Sequence, residues 1–445
     1  MDFTLQLGGM MKRVLSKDVK KFLGKKVKLF GYVHDVRLLG KINFLILRDR
    51  EGKVQVTVSK DKVSPEIFDL VKKLHQEDVI AIFGKVVRGK AEGVEVEVIP
   101  ERIDLVNKSH APLPLDPRWV TQANLDTRLE WRPLDLRRRE NLAIFKIQAK
   151  IIEAAEEFLR KKNFIQVFTP AIIGGISEGG AEVFKIDFFG KEAFLRQDPQ
   201  LHRQLLILAG FEKIFDVGPN WRAEPSDTPY HLAEHRGIAP EFIVKDEKDV
   251  MELEEDLVIN LIKKVVKECD EELKILGRNV KIPKKNFPEL KFPEIYGILE
   301  EMGKKLPFGS DLDRESERIL ANYVKEKYKQ DFFFINRFPF KVKPFYVMRV
   351  DEDPEWARSV DLIFKGVEQS SGGQREHRYE KIIEQIKEKR LNLENLKWFV
   401  EHFKYGAPPH GGFCLGLERF TMQLLDIQNI KEVVLFPRYT SRFLP

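Results

Sequence analysis

Apolar and polar positions alternate in short runs between residues 26 and 107, each run bounded by turn residues. Runs at 28–34, 44–49, 54–58, 79–87 and 94–98 predict five strands, with turns at Leu39-Gly40-Lys41 and Arg50-Glu51-Gly52. One helix is predicted at about 65–76, between the third and fourth strands. The alternation then stops. Ala111-Pro112-Leu113-Pro114-Leu115-Asp116-Pro117 excludes a long helix. From residue 141 the period becomes helical. Ile144, Ile147, Ile151, Ala155 and Phe158 share one face and predict an amphipathic helix to about Lys162. A strand at 164–169 ends at Pro170. Later strands are predicted at 193–195, 214–217, 332–335, 345–349 and 360–364. Helices are predicted at 199–209, 246–269, 314–328, 376–389, 394–404 and 417–426.

Five short strands with a helix in that place form the order of an OB-fold, a barrel that binds oligonucleotides on one face. Residues 1–108 are assigned to it, 109–140 to a linker ending in the arginine-dense stretch 131–139, and 141–445 to a second domain. Strands there do not alternate with single helices. The fold class is therefore α+β, a mostly antiparallel sheet flanked by helices. Phe44 and Gln55 lie on the barrel strands predicted to bind, where an aromatic ring can stack on an unpaired base or fill the core.

Composition narrows the class. Hydrophobic content of 43% and charged content of 33% describe a globular chain. No apolar run approaches the roughly 20 residues of a membrane span. Lys12 and the lysines after it replace a secretory apolar stretch, so a cytoplasmic protein is expected. Two cysteines, Cys269 and Cys414, are too few for a disulfide framework or a zinc site. The net charge of +6 is uneven: residues 1–108 hold 22 Lys and Arg against 15 Asp and Glu. A basic module on a near-neutral one suits a domain facing nucleic acid, and equally a solvated lysine-rich surface.

Two segments carry candidate chemistry. One is Trp221-Arg222-Ala223-Glu224 with His231-Leu232-Ala233-Glu234. The other runs from Gly411 to Arg419 and ends in Gly416-Leu417-Glu418-Arg419. Each sets an arginine beside a glutamate among apolar residues. Two fixed guanidinium forks suit a polyphosphate. Neither segment is a Walker loop or a dinucleotide fingerprint.

With the strand ending at Thr169-Pro170, these segments resemble the three signatures of class II aminoacyl-tRNA synthetases, in order. Within that class the chain is similar to the archaeal-type aspartyl-tRNA synthetases. The similarity rests on Leu125-Asp126-Thr127-Arg128, Ser177-Glu178-Gly179-Gly180-Ala181, Asp198-Pro199-Gln200-Leu201, the run 366–377, Pro408-Pro409-His410-Gly411-Gly412 and the terminal 436–445. The resemblance implies activation of L-aspartate by ATP and transfer to tRNA(Asp). It implies that Arg222 contacts the α-phosphate and the substrate carboxylate, and that Arg419 holds the γ-phosphate of a bent ATP. Ala223, Glu224, Tyr230, His231, Leu232, Gly416, Leu417 and Glu418 would belong to the ATP site. Glu368 and Ser371 would supply oxygens to Mg²⁺, a hard cation bound largely through phosphates. Aspartate would meet Glu178, Gln200, Arg203, Arg222, Ser371 and Arg375. A homodimer is implied by the segment ending at Pro170.

The chain also departs from those relatives. Arg203 stands for the usual lysine, Asp198 for a serine, His202 for a common aromatic residue, and His235 for a phenylalanine that stacks on adenine. Ala239-Pro240 replaces acidic or apolar residues near the substrate ammonium, and Asp198 is a candidate replacement partner. Phe44 and Gln55 match residues that read the middle anticodon base. His34 and Ala91 occur where relaxed relatives differ from discriminating ones, which implies charging of tRNA(Asn) as well. Two other readings stay open: an asparaginyl-tRNA synthetase, against which Arg203 speaks, and a paralogue serving as an RNA-binding or regulatory protein. The intact Arg222, Glu368, Ser371 and Arg419 speak against the second.

Overall fold

The computed structural model describes residues 12–175 and 182–444. Its residues group into two compact units, Met1–Leu142 and Ala143–Pro445.

In the first unit, β1 (Lys26–Leu39), β2 (Ile42–Arg48), β3 (Lys53–Ser59), β4 (Val79–Arg88) and β5 (Val96–Asn107) close into a barrel in the order β1-β2-β3-β5-β4. Alternate residues point inward, so Val27, Leu29, Val33, Leu45, Leu47, Val56 and Val98 share one core. Helix α1 (Pro65–Lys72) lies between β3 and β4, with Ser64 capping its first turn. It is shorter than the sequence predicts. The fifth strand is longer: it runs beside β4 to Asn107, with two register shifts. Past the barrel, residues 125–130 and 132–135 form single turns of helix.

In the second unit, α2 (Arg139–Lys161) leads to β6 (Ile165–Gln166), which pairs in parallel with β10 (Lys213–Trp221). Pairing covers only two residues of the predicted strand, and Phe168 is 84% exposed. β7 (Ile172–Ile173), β8 (Lys185–Phe188) and β9 (Lys191–Leu195) make a small antiparallel sheet. Helix α3 (Gln200–Leu206) then precedes β10. The main sheet adds β11 (Glu234–Ile243), β12 (Glu289–Lys291), β13 (Phe332–Asn336), β14 (Ser359–Phe364), β15 (Val367–Arg375) and β16 (His410–Gly416). Its order is β12-β13-β14-β15-β16-β11-β10-β6, antiparallel except for the outer pairs β12–β13 and β10–β6.

Helix α4 (Glu247–Glu268) packs its apolar face on one side of this sheet, in the core formed by Leu257, Leu261, Ile262, Phe413 and Leu415. α5 (Arg314–Tyr328), α6 (Tyr379–Glu388), α7 (Leu393–Val400) and α8 (Leu417–Leu424) follow the sequence prediction closely. The predicted strand 345–349 does not form. It makes only isolated bridges, Val347 to Arg375 and Arg349 to Ala357, and two different partners cannot build a ladder.

Candidate active site

Strands β11, β15 and β16 were not predicted, yet they carry the centre of the sheet. Their sequences are rich in glycine and polar residues, and the glycines have a steric cause. A Cβ on Gly412 would stand 2.2 Å from the Pro240 carbonyl oxygen and 2.5 Å from Glu241 Oε2. A Cβ on Gly372 would stand 2.4 Å from the Gly412 carbonyl oxygen. Bare backbone here leaves room for long side chains to cross the sheet face.

Above that face lies a cavity of about 580 Å³. At one end Arg375 donates from Nε to Glu241 Oε1 (3.0 Å) and from Nη2 to Gln200 Oε1 (3.1 Å) and the Gly412 carbonyl (3.0 Å). Gln200 donates to Glu241 Oε2 (3.0 Å). Arg203, 1% exposed, donates from Nη2 to Asp198 Oδ1 (2.6 Å) and Gln200 Oε1 (2.8 Å). Two buried guanidiniums thus face two carboxylates around one amide. Each charge needs that company, since an unpaired buried ion is strongly destabilising.

This corrects two sequence expectations. Arg203 does not line the cavity; Asp198 and Gln200 do. The reason is length and shape: the arginine fork reaches Asp198 and spends its charge there. Asp198 is therefore the counter-ion of Arg203 before it is a partner for any ammonium. Arg375 does line the cavity, and among the described residues none of its hydrogen bonds uses Nη1.

The arginine–glutamate segments face the other end. Glu224 lies 3.7 Å from Arg222 Nη1 and 3.8 Å from His231 Nε2. His231 is fixed through Nδ1 by Thr228 Oγ1 at 2.6 Å. The C-terminal segment clamps this loop: Ala233 donates to the Arg438 carbonyl, Ile430 to the Pro229 carbonyl, and Lys431 pairs with Asp227. Arg419, on the first turn of α8, donates from Nη1 to the Glu368 carbonyl (3.0 Å). Glu418 accepts from the Arg236 backbone at 2.9 Å and side chain at 3.4 Å. Tyr230, Leu232, Gly416 and Glu418 also line the cavity, whereas Ala223 and Leu417 do not. Leu417 is in the core. Glu178 lies outside the described residues.

Glu368 and Ser371 line the wall between the two ends. Beside them stands Asp361, paired across the ladder with Ser371. Its Oδ2 accepts from Lys343 Nζ (3.0 Å), and among the described residues its buried Oδ1 has no hydrogen-bond partner. Burial raises the Asp361 carboxyl above the usual carboxylate range, against the pull of Lys343 and with a push from Glu368. Glu317 on α5 is pushed up to about 8 by burial and by Glu368. Sequence reading missed Asp361, Lys343, Glu317 and Glu241. Asp361 left a signal, a lone acid among Val360, Leu362 and Ile363. The others left none.

Of the departures, Asp198 and His235 line this cavity, whereas Arg203, His202, Ala239 and Pro240 do not. His235 lines it, and burial, with Arg222 and Arg419, holds its imidazole down to about 4, so it is neutral near pH 7. His202 instead packs on Trp398, ring centroids 5.1 Å apart. Ala239 is buried opposite Asp216.

The barrel residues belong to the first unit. Phe44 is half-buried on β2. Gln55 on β3 donates to Glu97 Oε2 (3.0 Å). His34 Nδ1 meets Arg48 Nη1 at 3.2 Å, and burial with the Lys53 and Arg48 charges lowers its pKa to about 4. Ala91 is exposed in the loop after β4.

Comparisons with known proteins agree with this geometry. The family model "tRNA synthetases class II (D, K and N)" matches residues 124–440, and "OB-fold nucleic acid binding domain" matches 27–106. The Aspartate--tRNA(Asp) ligase of Pyrococcus furiosus is 45% identical over 423 residues, covering 95% of this chain and 97% of that one. The Aspartate--tRNA(Asp/Asn) ligase of Methanopyrus kandleri is 43% identical, covering 95% and 96%. The crystal structure of asparaginyl-tRNA synthetase from Pyrococcus horikoshii with asparaginyl-adenylate superposes with a TM-score of 0.90 at 32% identity, covering 98% of this chain and all of that one.

One titration behind the cavity is testable. His410, fully buried at the start of β16, holds the Pro408 carbonyl through Nδ1 (2.8 Å) and faces the Gln204 amide through Nε2 (3.2 Å). Burial lowers its pKa to about 4. Between the unfolded value of about 6.5 and 4, the unfolded chain takes up a proton that the folded chain refuses, so stability falls as pH falls. His410→Gln should flatten the dependence of melting temperature on pH across this window. Parallel curves for variant and wild type would refute the assignment.

Proposed function

The chain belongs to the class II tRNA synthetases, and we infer that it is an ATP-dependent aspartate–tRNA ligase. The observation that carries this reading is the division of one cavity into an end with three arginine- or histidine-bearing elements and an end with an ordered Arg375. The first suits a triphosphate, the second a side-chain carboxylate. In the activation step, an oxygen of the aspartate α-carboxylate attacks the α-phosphorus of ATP. The new O–P bond forms as the bond to pyrophosphate breaks. No protein nucleophile is needed; placement and charge stabilisation do the work.

Arg222 binds the α-phosphate and the attacking carboxylate, oriented by Glu224. Arg419 takes the γ-phosphate, and its Glu368 carbonyl contact fixes the fork. His231, Tyr230 and Leu232 wall the nucleotide. Ala223, Gly416, Leu417 and Glu418 set the backbone and the neighbouring Arg236. His235, neutral, offers its ring face to adenine. The residues present also fit a divalent cation: the orphaned Asp361 Oδ1 stands with Glu368 and Ser371, all hard oxygen donors. Those three would hold Mg²⁺, which when bound offsets phosphate charge.

At the amino-acid end, Arg375 presents Nη1 to the β-carboxylate of L-aspartate, with Gln200 beside it. Glu178 is assigned to the ammonium by family resemblance alone. Arg203 acts as a positioning residue through Gln200 and Asp198. An amide in place of the carboxylate would lose a charge-assisted contact with Arg375, which favours aspartate over asparagine. The barrel binds the anticodon of tRNA, with Phe44 as stacking platform and Gln55 at the base edge. His34, small and neutral, and Ala91 leave room for tRNA(Asn) as well as tRNA(Asp). Exposed Ile165 and Phe168, next to Pro170, form the homodimer contact.

Pyrophosphate exchange tests the activation step. Aspartate, and not asparagine, should support exchange. Arg375→Ala should lower kcat/KM for aspartate by about 100-fold, the scale of one charge-assisted hydrogen bond in a dry site. Exchange with asparagine alone would overturn the reading. Charging of tRNA transcripts tests the barrel. Both tRNA(Asp) and tRNA(Asn) should accept aspartate, and failure with tRNA(Asn) would show a discriminating enzyme. Sedimentation at twice the chain mass of 52.0 kDa is expected for the dimer, and a monomer at micromolar concentration would exclude it.

A further inference from the structure

A third guanidinium stands at the phosphate end and has no role in the assignments above. Arg314 is the first residue of α5, following the cap Asp313, whose side chain accepts from the Ser316 backbone (2.8 Å). It lines the same cavity as Arg222, His231 and Arg419. Its Cζ lies 3.7 Å over the Tyr230 ring. Stacking of this kind holds the planar fork by its face and keeps its N–H edges for in-plane acceptors.

Glu317, three residues on in the same cavity, feels the Arg314 charge, but burial and Glu368 push its carboxyl up to about 8, which leaves the fork available. Asp313 and Glu315, on either side of it in sequence, are both drawn to Lys304, at 2.9 and 2.5 Å. No carboxylate lies within ion-pair distance of Arg314 among the described residues. The convergence also registers on His231. Burial lowers its proton affinity first, Glu224 opposes, and Arg419, Arg314 and Arg222 each lower it further. Three cations therefore gather around one imidazole on three separate elements: the loop after β10, the start of α5 and the start of α8.

We propose that Arg314 is a phosphate-binding residue that grips the β,γ end of ATP, and the pyrophosphate formed from it, alongside Arg419. This rests on the ATP reading above. Tyr230 is its platform, so the loop bearing Arg222 and His231 and the helix bearing Arg314 are joined across the phosphate chain.

The test is pyrophosphate exchange on the full-length protein with Arg314→Ala and Arg314→Lys, with melting temperature as control. Arg314 is exposed at a helix start, so neither variant should lose stability. The alanine variant should raise KM for ATP and for pyrophosphate by about tenfold, the lower range for a charge-assisted hydrogen bond, while KM for aspartate stays within about twofold. The lysine variant should recover part of the loss, since it restores the charge without the stacked fork. Unchanged KM for both phosphate ligands, or an equal rise for aspartate, would overturn the proposal. Calorimetry with pyrophosphate alone separates the two levels. If the wild type exchanges no amino acid, the ligase reading fails. The Arg314 proposal then stands if pyrophosphate binds about tenfold more weakly to the alanine variant, and falls if it binds equally.

Discussion

Two guanidiniums buried under one end of a small cavity set the terms for everything around them. Neither Arg203 nor Arg375 can shed its proton, so each must be matched where it lies. Asp198 and Glu241 supply the matching charge, and Gln200 accepts from both arginines while donating to Glu241. The network closes only because β16 carries Gly412 where any Cβ would collide with Glu241. Sheet sequence, charge balance and pocket shape are thus one constraint.

The same economy of side chains governs the neighbours at the other end of the cavity. Glu418 and Arg419 are adjacent in sequence and both line the cavity, but they take different partners: the glutamate accepts from Arg236 on β11, and the arginine donates to the Glu368 carbonyl. The C-terminal segment holds the facing loop through Ala233 and Ile430. These anchors order the cations of the cavity, which is what the proposed stabilisation of a developing phosphate charge requires.

The sequence was read well where burial is one-sided. The barrel strands expose one face and bury the other, so their period of two is plain, as is the period of α2 and α5. Strands β11, β15 and β16 bury both faces, and function fills them with Gly411, Gly412, Ser370, Ser371, Gln374 and Arg375. No alternation survives there, so they were missed as strands although their chemistry was noticed. Arg203 illustrates a second limit. Its charge was legible, but that Asp198, five residues earlier, would consume it depends on a turn of α3 that only coordinates show. Asp361 and Glu241 are distant in sequence from the residues they serve; Asp361 shows only as a lone acid in an apolar run, and nothing local marks Glu241.

The central claim is that a cavity whose cations are mostly compensated still selects a second carboxylate through Arg375. Calorimetric titration with non-hydrolysable aspartyl- and asparaginyl-adenylate analogues tests it without turnover or tRNA. The aspartyl analogue should bind at least about tenfold more tightly, and Arg375→Ala should erase the difference. Equal affinity in the wild type, or tighter binding of the asparaginyl analogue, would contradict it.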